Sequence, residues 1–274
     1  MKKIAQLLLL AVTMISCGSD DDTTTILGCT DENSLNYNSS ATQDDGSCSY
    51  SLNLTINFKQ DWDGTNVSSD DFGTTEYTNL NGEVLKITKL RYLISKVILH
   101  SNEGDDLEIE GYNLIDISDS NTLSVVKDIE IQDVTYNRIS FIYGFNEEDN
   151  IDAAYPDLNT ASWNWPSMLG GGYHFMQLEG NFINSNGEQQ TYAYHNGTAR
   201  VSEGVFEQNF ITVTVNNLTI TRDTELSIHM NIAEWFKNPN TWNLNIYNSA
   251  LMGNYDAQIL MNENGQSVFS VSVE

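Results

Sequence analysis

The chain has 274 residues, enough to bury a core in one large domain with small appendages. Its 38 Asp and Glu residues outnumber its 12 Lys and Arg residues, which gives a formal net charge of -26. No basic stripe is available to replace phosphate counterions, which excludes a nucleic-acid partner. The acidic residues are mostly dispersed, as on a solvated surface.

The segment 1–17 is predicted to be a lipoprotein signal peptide. Lys2 and Lys3 precede an apolar run, Ile4–Val12, that is too short to span a bilayer as a stable helix. The small residues Ser16 and Gly18 flank Cys17, and this arrangement resembles the lipobox of bacterial lipoproteins, in which the cysteine is lipidated. The alternative is an ordinary signal peptide with an incidental cysteine.

Residues 18–27 are predicted to form an acidic flexible tether. Its segment Ser19–Asp22 resembles the acidic tag that sends lipoproteins of the Bacteroidetes to the outer face of the outer membrane. The resemblance implies a lipid-anchored protein at the cell surface.

Residues 28–48 form a small cysteine module. Once Cys17 is lipidated, Cys29 and Cys48 are the remaining thiols, and in an oxidising compartment such a pair is expected to form a disulfide. The segment resembles the GCTDxxAxNYNxxATxDDGSC modules of secreted proteins from marine Bacteroidetes. Asp31, Asp44 and Asp45 could bind calcium through carboxylate oxygens; the alternative is a disulfide-closed spacer.

Residues 49–274 are predicted to fold as an all-β domain, a β-sandwich of roughly ten strands with one or two short helices. In the first strand, Leu52 to Phe58, apolar and polar residues alternate. The other predicted strands are 84–100, as one long strand or two bent ones, and 107–117, 139–145, 174–182, 191–195, 206–215, 225–232 and 268–273. The predicted helices are 233–237 and 248–263, the latter with Leu251, Tyr255 and Leu260 on one face.

Histidine, tryptophan and methionine concentrate in the segments 163–180 and 192–197. The whole chain has four histidines, and two of them, His174 and His195, lie here. Imidazole suits copper and zinc, and thioether suits copper(I), so this pattern indicates a metal site. The alternative is that the aromatic and methionine side chains belong to the core and that each histidine only forms hydrogen bonds.

The order of motifs resembles the MbnP-like family, copper-binding proteins that act outside the cytoplasm. The motifs are RYLIS at 91–95, FIYGF at 141–145, WNW at 163–165, GYHFMQLEG at 172–180 and YHNG at 194–197. The resemblance covers about 51–273. It implies that copper is bound by histidines and by a tryptophan oxidised to kynurenine, and that a dihaem peroxidase-like partner is encoded nearby.

The resemblance makes His195 the first predicted copper ligand. Trp163 and Trp165 match the tryptophan pair of the family, and either could be the oxidation target. His174 is either a second ligand or a local variant. Glu179 either orients a histidine or forms an ion pair with Arg91 or Arg138.

One expected ligand is missing. The family commonly carries a histidine in the segment that here reads Tyr247–Met252, where no histidine occurs. By residue type, Met252, His229 and Met230 are the nearest substitutes. His229 alternates within a predicted strand, so a structural role is the alternative.

The predicted function is copper acquisition, buffering or redox handling by a surface lipoprotein. The sequence has no GxSxG, HExxH or Walker motif, and no cysteine remains as a nucleophile, so no enzyme activity is expected. The alternative function is a metal-free β-sandwich that binds a surface protein or glycan through exposed aromatic residues.

Overall fold

The structure is a computed structural model that describes residues 25–102, 104–132 and 135–274. Cys17 and Ser19–Asp22 lie outside these ranges, so the predicted lipidation and address tag remain predictions. The chain divides into two compact units after Cys48. Among the described residues, no helix has the length and apolar character needed to cross a bilayer.

The N-terminal unit contains the predicted disulfide. Cys29 and Cys48 are bonded, with their Cα atoms 4.8 Å apart, which confirms the pairing. A parallel bridge between Leu27 and Gln43 adds backbone pairing within the same unit. In a loop of this length, a disulfide stabilises the folded state by about 3 kcal/mol, because it restricts the unfolded chain.

The second unit, Ser49–Glu274, is mostly β-structure. Its described residues form fourteen strands: β1 (Ser49–Trp62), β2 (Thr65–Asn66), β3 (Tyr77–Thr78), β4 (Val84–Ser101), β5 (Leu107–Asp116), β6 (Ser124–Gln132), β7 (Tyr136–Tyr143), β8 (Met176–Ile183), β9 (Gln189–Asn196), β10 (Ala199–Ser202), β11 (Val205–Glu207), β12 (Ile211–Ile220), β13 (Thr224–Asn231) and β14 (Phe269–Val273). Two α-helices, α1 (Pro156–Thr160) and α2 (Tyr255–Gly265), accompany five short 3-10 helices in the same described residues.

The strands form two main sheets that share one core. In the smaller sheet the order is β14-β13-β1-β2, and β6 also pairs with β1. In the larger sheet the order is β12-β7-β4-β8-β9, and β3 and β5 also pair with β4. Aromatic contacts join the sheets: the Phe269 ring centroid lies 5.7 Å from that of Phe141 and 5.5 Å from that of Tyr143. The predicted β-sandwich is therefore confirmed.

Several predicted elements have different boundaries in the structure. The strand predicted at 206–215 is two strands, β11 and β12, because the chain between them is held by helix α2: Asn209 Nδ2 donates to Gln258 O, and Asn262 Nδ2 donates to Asn209 O. The helix predicted at 233–237 is the 3-10 helix Ile232–Phe236, with Lys237 as its C-cap. Residues 124–132, for which the sequence predicts no strand, form strand β6.

The helix predicted at 248–263 begins later than expected. Asn248 O accepts a hydrogen bond from Ala193 N, so this end of the segment lies along the free edge of β9. The helix α2 begins after Asn254, whose side chain accepts from Ala257 N as an N-cap. The buried face of α2 contains Ala257, Gln258, Met261, Asn264 and Gly265, in place of the predicted face.

Candidate metal centre

A tight hairpin positions both tryptophans and His174. Trp165 N donates to Gly172 O at 2.9 Å, and His174 N donates to Trp163 O at 2.9 Å. Gly172 has φ +76°, and an added Cβ there would lie 2.3 Å from Asn150 Oδ1. That oxygen accepts from Tyr173 N, so glycine is needed for Asn150 to close the hairpin.

Strand β9 carries His195 to the same place. Helix α2 holds the end of this strand through Gln258, whose side chain is fully buried. Gln258 Nε2 donates to His195 O at 2.8 Å, and Gln258 Oε1 accepts from Gly197 N at 3.2 Å. A Cβ at Gly197 would lie 2.6 Å from the Trp165 ring, so this glycine allows β9 to approach the hairpin closely.

The two histidine rings contact each other, and the His174 ring also packs against two tryptophans. The ring centroids of His174 and His195 are 5.2 Å apart, with their planes nearly perpendicular. The centroid of His174 lies 4.9 Å from that of Trp165 and 5.5 Å from that of Trp163. His174 is only 5% exposed, and both tryptophans are buried. The structure thus brings together His195, His174, Trp163 and Trp165, all predicted from the sequence to belong to one site.

One nitrogen of this histidine pair is buried and unsatisfied. His174 Nδ1 finds no hydrogen-bond partner among the described residues. A buried polar atom without a partner loses its hydration and gains nothing in return, which costs about 1–3 kcal/mol. A ligand or an ion that binds such an atom explains why it has no partner in the protein.

Glu179 and Lys89 support the other histidine. Glu179 Oε1 lies 2.9 Å from His195 Nε2 and 3.1 Å from Lys89 Nζ. Partial burial raises the pKa of the Glu179 carboxyl, but the hydrogen bonds from Lys89 and His195 outweigh it and bring the pKa below its usual value. Because an ionised carboxylate can only accept, the proton is on His195 Nε2, and His195 Nδ1 keeps a lone pair for a metal.

Both imidazoles are held in the neutral form. Burial, with smaller contributions from the charges of His195, Lys89 and Arg91, lowers the pKa of His174 from 6.5 to about 3. Burial also lowers the pKa of His195, although the carboxylate of Glu179 acts in the opposite direction. Neutral imidazole is the form that binds a metal, so neither ligand has to lose a proton at neutral pH.

Arg91 does not form the ion pair with Glu179 that was one of the two alternatives. Its guanidinium carbon lies 4.9 Å from the centroid of Trp163, within cation–π range, and Arg91 Nε pairs with Asp116 Oδ2 at 3.2 Å. Of the two alternatives for Glu179, the contact with His195 is the one observed. The cation that pairs with Glu179 is Lys89, and neither Arg91 nor Arg138 takes that place.

Two further predicted ligands lie on other elements of the fold. His229 is on strand β13 of the smaller sheet, with Nε2 3.1 Å from Ser272 Oγ. Met252 lies in the 3-10 helix Leu251–Gly253, which follows the segment that lies along the edge of β9. The segment in which the resemblance implies another histidine therefore lies beside the strand of His195.

The described residues contain no group of three or more His, Cys, Asp or Glu side chains placed to hold a metal ion. Any metal at the histidine pair would have two imidazoles as its main protein ligands. The calcium hypothesis also lacks support, because the carboxylates are used in local turns. Asp31 Oδ1 accepts from Asn33 N, Asp44 Oδ1 from Gly46 N and Asp45 Oδ1 from Ser47 N.

The fold and the site together define a class, a β-sandwich with a histidine pair of which His174 is buried against two tryptophans. The MbnP family model matches residues 51–253, and the chain belongs to this family, which is associated with copper. The solved structure of MbnP from Methylosinus trichosporium matches with a TM-score of 0.55 and 15% identity, over 82% of this chain and 99% of that one. At this identity the match shows a shared fold. A comparison with curated proteins gives no match.

Lys89 and Gln258 were not predicted as parts of the site. Lys89 reaches Glu179 because β4 pairs with β8 in the larger sheet, a long-range pairing that the sequence does not specify. Gln258 is a polar residue on a helix, a pattern that is typical of a solvated face. Its complete burial depends on how α2 packs.

Proposed function

We propose that this protein binds copper(I) at the histidine pair, His174 and His195, as a lipid-anchored protein at the cell surface. The observation that carries the proposal is the unsatisfied Nδ1 of His174, buried beside His195 and enclosed by tryptophans. Copper(I) accepts few ligands, which suits a site with two imidazoles. Imidazole is also a good ligand for copper.

The surroundings of the histidine pair support copper binding. The Glu179 carboxylate orients His195 through its Nε2 proton, and Lys89 holds the carboxylate in turn. Such outer contacts fix the direction of a ligand and raise its basicity. The buried rings of Trp163 and Trp165 limit the access of water.

The test is an anaerobic competition titration of the full chain against a copper(I)–bicinchoninate complex. We expect one copper(I) per chain, and we expect His195→Ala or His174→Ala to weaken binding at least about 100-fold, because each removes one of two main ligands. His229→Ala is the matched control, because it removes a histidine from the other sheet. Equal affinity of the wild type and both site variants would contradict the proposal and favour a metal-free interaction module.

The family resemblance further implies that one tryptophan is oxidised. Both candidates lie within ring contact of His174, which supports an oxidation at this site. Peptide mass spectrometry of protein purified from its own host should show a mass gain on the peptide that carries Trp163 or Trp165. The other three tryptophans of the chain, Trp62, Trp235 and Trp242, serve as internal controls. Unmodified Trp163 and Trp165 in copper-loaded protein would refute this part.

A further inference from the structure

Three side chains outside the histidine pair form a connected series of hydrogen bonds. Ser140 Oγ lies 2.7 Å from His100 Nε2, and His100 Nδ1 lies 2.6 Å from Asp106 Oδ2. A serine, a histidine and a carboxylate joined in this order have the arrangement of the catalytic triad of serine hydrolases. A triad is defined by its geometry and not by sequence position, so the missing GxSxG motif does not exclude one here.

The register of the larger sheet brings these side chains to its outer face. His100 is near the end of β4, Ser140 is on the neighbouring strand β7, and Asp106 directly precedes β5. Leu99 pairs with Ile139 across the two strands, and both are buried in the core. Because successive side chains of a strand point to opposite faces, His100 and Ser140 point away from the core. A substrate in solution can therefore approach them.

The carboxylate of Asp106 determines which nitrogen of His100 carries the proton. The hydrogen bond from His100 lowers the pKa of the Asp106 carboxyl, so this group is ionised at neutral pH. An ionised carboxylate only accepts hydrogen bonds, so the proton of the neutral imidazole is on Nδ1. His100 Nε2 then accepts from Ser140 Oγ, as a general base must before it takes the proton of a serine nucleophile.

A cation and a small depression lie beside the triad. Arg138 is directly opposite His100 and two residues from Ser140 on the same strand, so its side chain is on the same face of the sheet. The depression has a volume of about 200 Å³ and is lined by Asn102, Asn137, Arg138, Asn216 and Asn217. Guanidinium and amide groups can donate to an oxygen that becomes negative during acyl transfer. A space of this size suits a short acyl group.

We infer that Ser140, His100 and Asp106 form a second functional site, which hydrolyses esters of short carboxylic acids. His100 Nε2 takes the serine proton as Ser140 Oγ attacks the ester carbonyl carbon. The bond from this carbon to the alkoxy oxygen then breaks, and His100 gives the proton to the leaving alcohol. Water attacks the acyl-serine in the same way, which releases the acid and restores Ser140. Neither step uses the histidine pair, so the inference is independent of the proposed function.

The first test is labelling of the full chain with a fluorophosphonate, in the presence of EDTA so that bound metal does not contribute. A reactive serine displaces fluoride from phosphorus, and peptide mass spectrometry locates the label. We expect Ser140 to be labelled, Ser140→Ala to abolish this label, and His100→Ala to slow it at least about 100-fold. Ser272 is the internal control and should stay unlabelled. Its Oγ also lies 3.1 Å from a histidine nitrogen, His229 Nε2, but among the described residues no carboxylate bonds to the other nitrogen of that ring.

The second test addresses Asp106, a positioning residue that acts through His100. Asp106→Asn should slow the hydrolysis of 4-nitrophenyl acetate at least about 100-fold, because an amide does not hold the required tautomer. Imidazole 1H–15N spectra should show the proton of His100 on Nδ1 in the wild type and on Nε2 in the variant. Asp105→Asn is the matched control, because it removes the adjacent exposed carboxylate and leaves the contact between Asp106 and His100 in place.

The inference would be overturned by an unlabelled Ser140, by equal labelling rates in the wild type and His100→Ala, or by wild-type ester hydrolysis in Ser140→Ala. Full hydrolysis in Asp106→Asn with the proton still on Nδ1 would overturn the role of Asp106. Denaturant unfolding of each variant shows that a lost activity is not a lost fold.

Discussion

The imidazoles of His174 and His195 lie edge to face, with their ring centroids 5.2 Å apart. His174 comes from a hairpin that precedes β8, and His195 comes from β9, so two elements must be held together for the rings to meet.

Glu179→Gln should weaken copper(I) binding about 10- to 100-fold, because a neutral amide orients His195 less firmly than a carboxylate. The competition titration against bicinchoninate measures this change. Glu234→Gln is the matched control, because it also removes a carboxylate that pairs with a lysine, Lys237. Equal losses in the two variants would show that Glu179 acts only through general charge.

Gln258→Met should weaken copper binding and also destabilise the domain. The change removes the donor to His195 O and the acceptor of Gly197 N, and each buried group left unpaired costs about 1–3 kcal/mol. Denaturant unfolding and the copper titration report the two effects separately. Gln266→Met alters an exposed glutamine at the end of the same helix and should change neither. Native copper affinity in Gln258→Met would show that Gln258 does not help to position His195.

Gly197→Ala should lower the free energy of unfolding by about 1–3 kcal/mol, because the new methyl group would overlap the Trp165 ring. Denaturant titration of the metal-free protein measures the loss. At Gly253 an added Cβ makes only an ordinary contact of 3.8 Å with Leu169, so Gly253→Ala is the control. If Gly197→Ala is no less stable than this control, β9 and the hairpin are not closely packed.

The metal-free protein should become less stable as the pH falls below about 6.5, the usual pKa of histidine. Below that pH the unfolded chain binds a proton at His174, whereas the folded protein does so only near a pKa of about 3. Between these values, stability should fall by up to about 1.4 kcal/mol per pH unit for this histidine. His195, whose pKa is also lowered, adds to the same trend.

The measurement is denaturant unfolding across this pH range, with His174→Phe as the comparison. This variant keeps a ring in the pocket but cannot be protonated, so its stability should depend less steeply on pH. An identical slope in the two proteins would mean that His174 is protonated in the folded state.

The strands were predictable where apolar and polar residues alternate, as in Leu52 to Phe58, because a period of two places one set of side chains in the core. Strand β6 was missed, since it lies at the edge of its sheet and most of its side chains are at least partly exposed, Val126 included. The start of α2 was misplaced, because the edge of β9 holds the preceding segment through Asn248.

The candidate site was predictable in part. The residue types and the family motifs single out His174, His195, Trp163 and Trp165, and the hairpin between 163 and 174 brings three of them together locally. The contributions of Lys89 and Gln258 depend on strand pairing and on helix packing across the domain. These long-range contacts have no signature in the local sequence.

X-ray absorption spectroscopy of the copper(I)-loaded full chain tests the central claim most directly, because imidazole ligands give a characteristic multiple-scattering pattern. We predict scattering from two imidazoles in the wild type and in His229→Ala, and from at most one in His195→Ala. A spectrum without imidazole scattering, or one that His174→Ala and His195→Ala leave unchanged, would contradict the assignment of copper to this histidine pair.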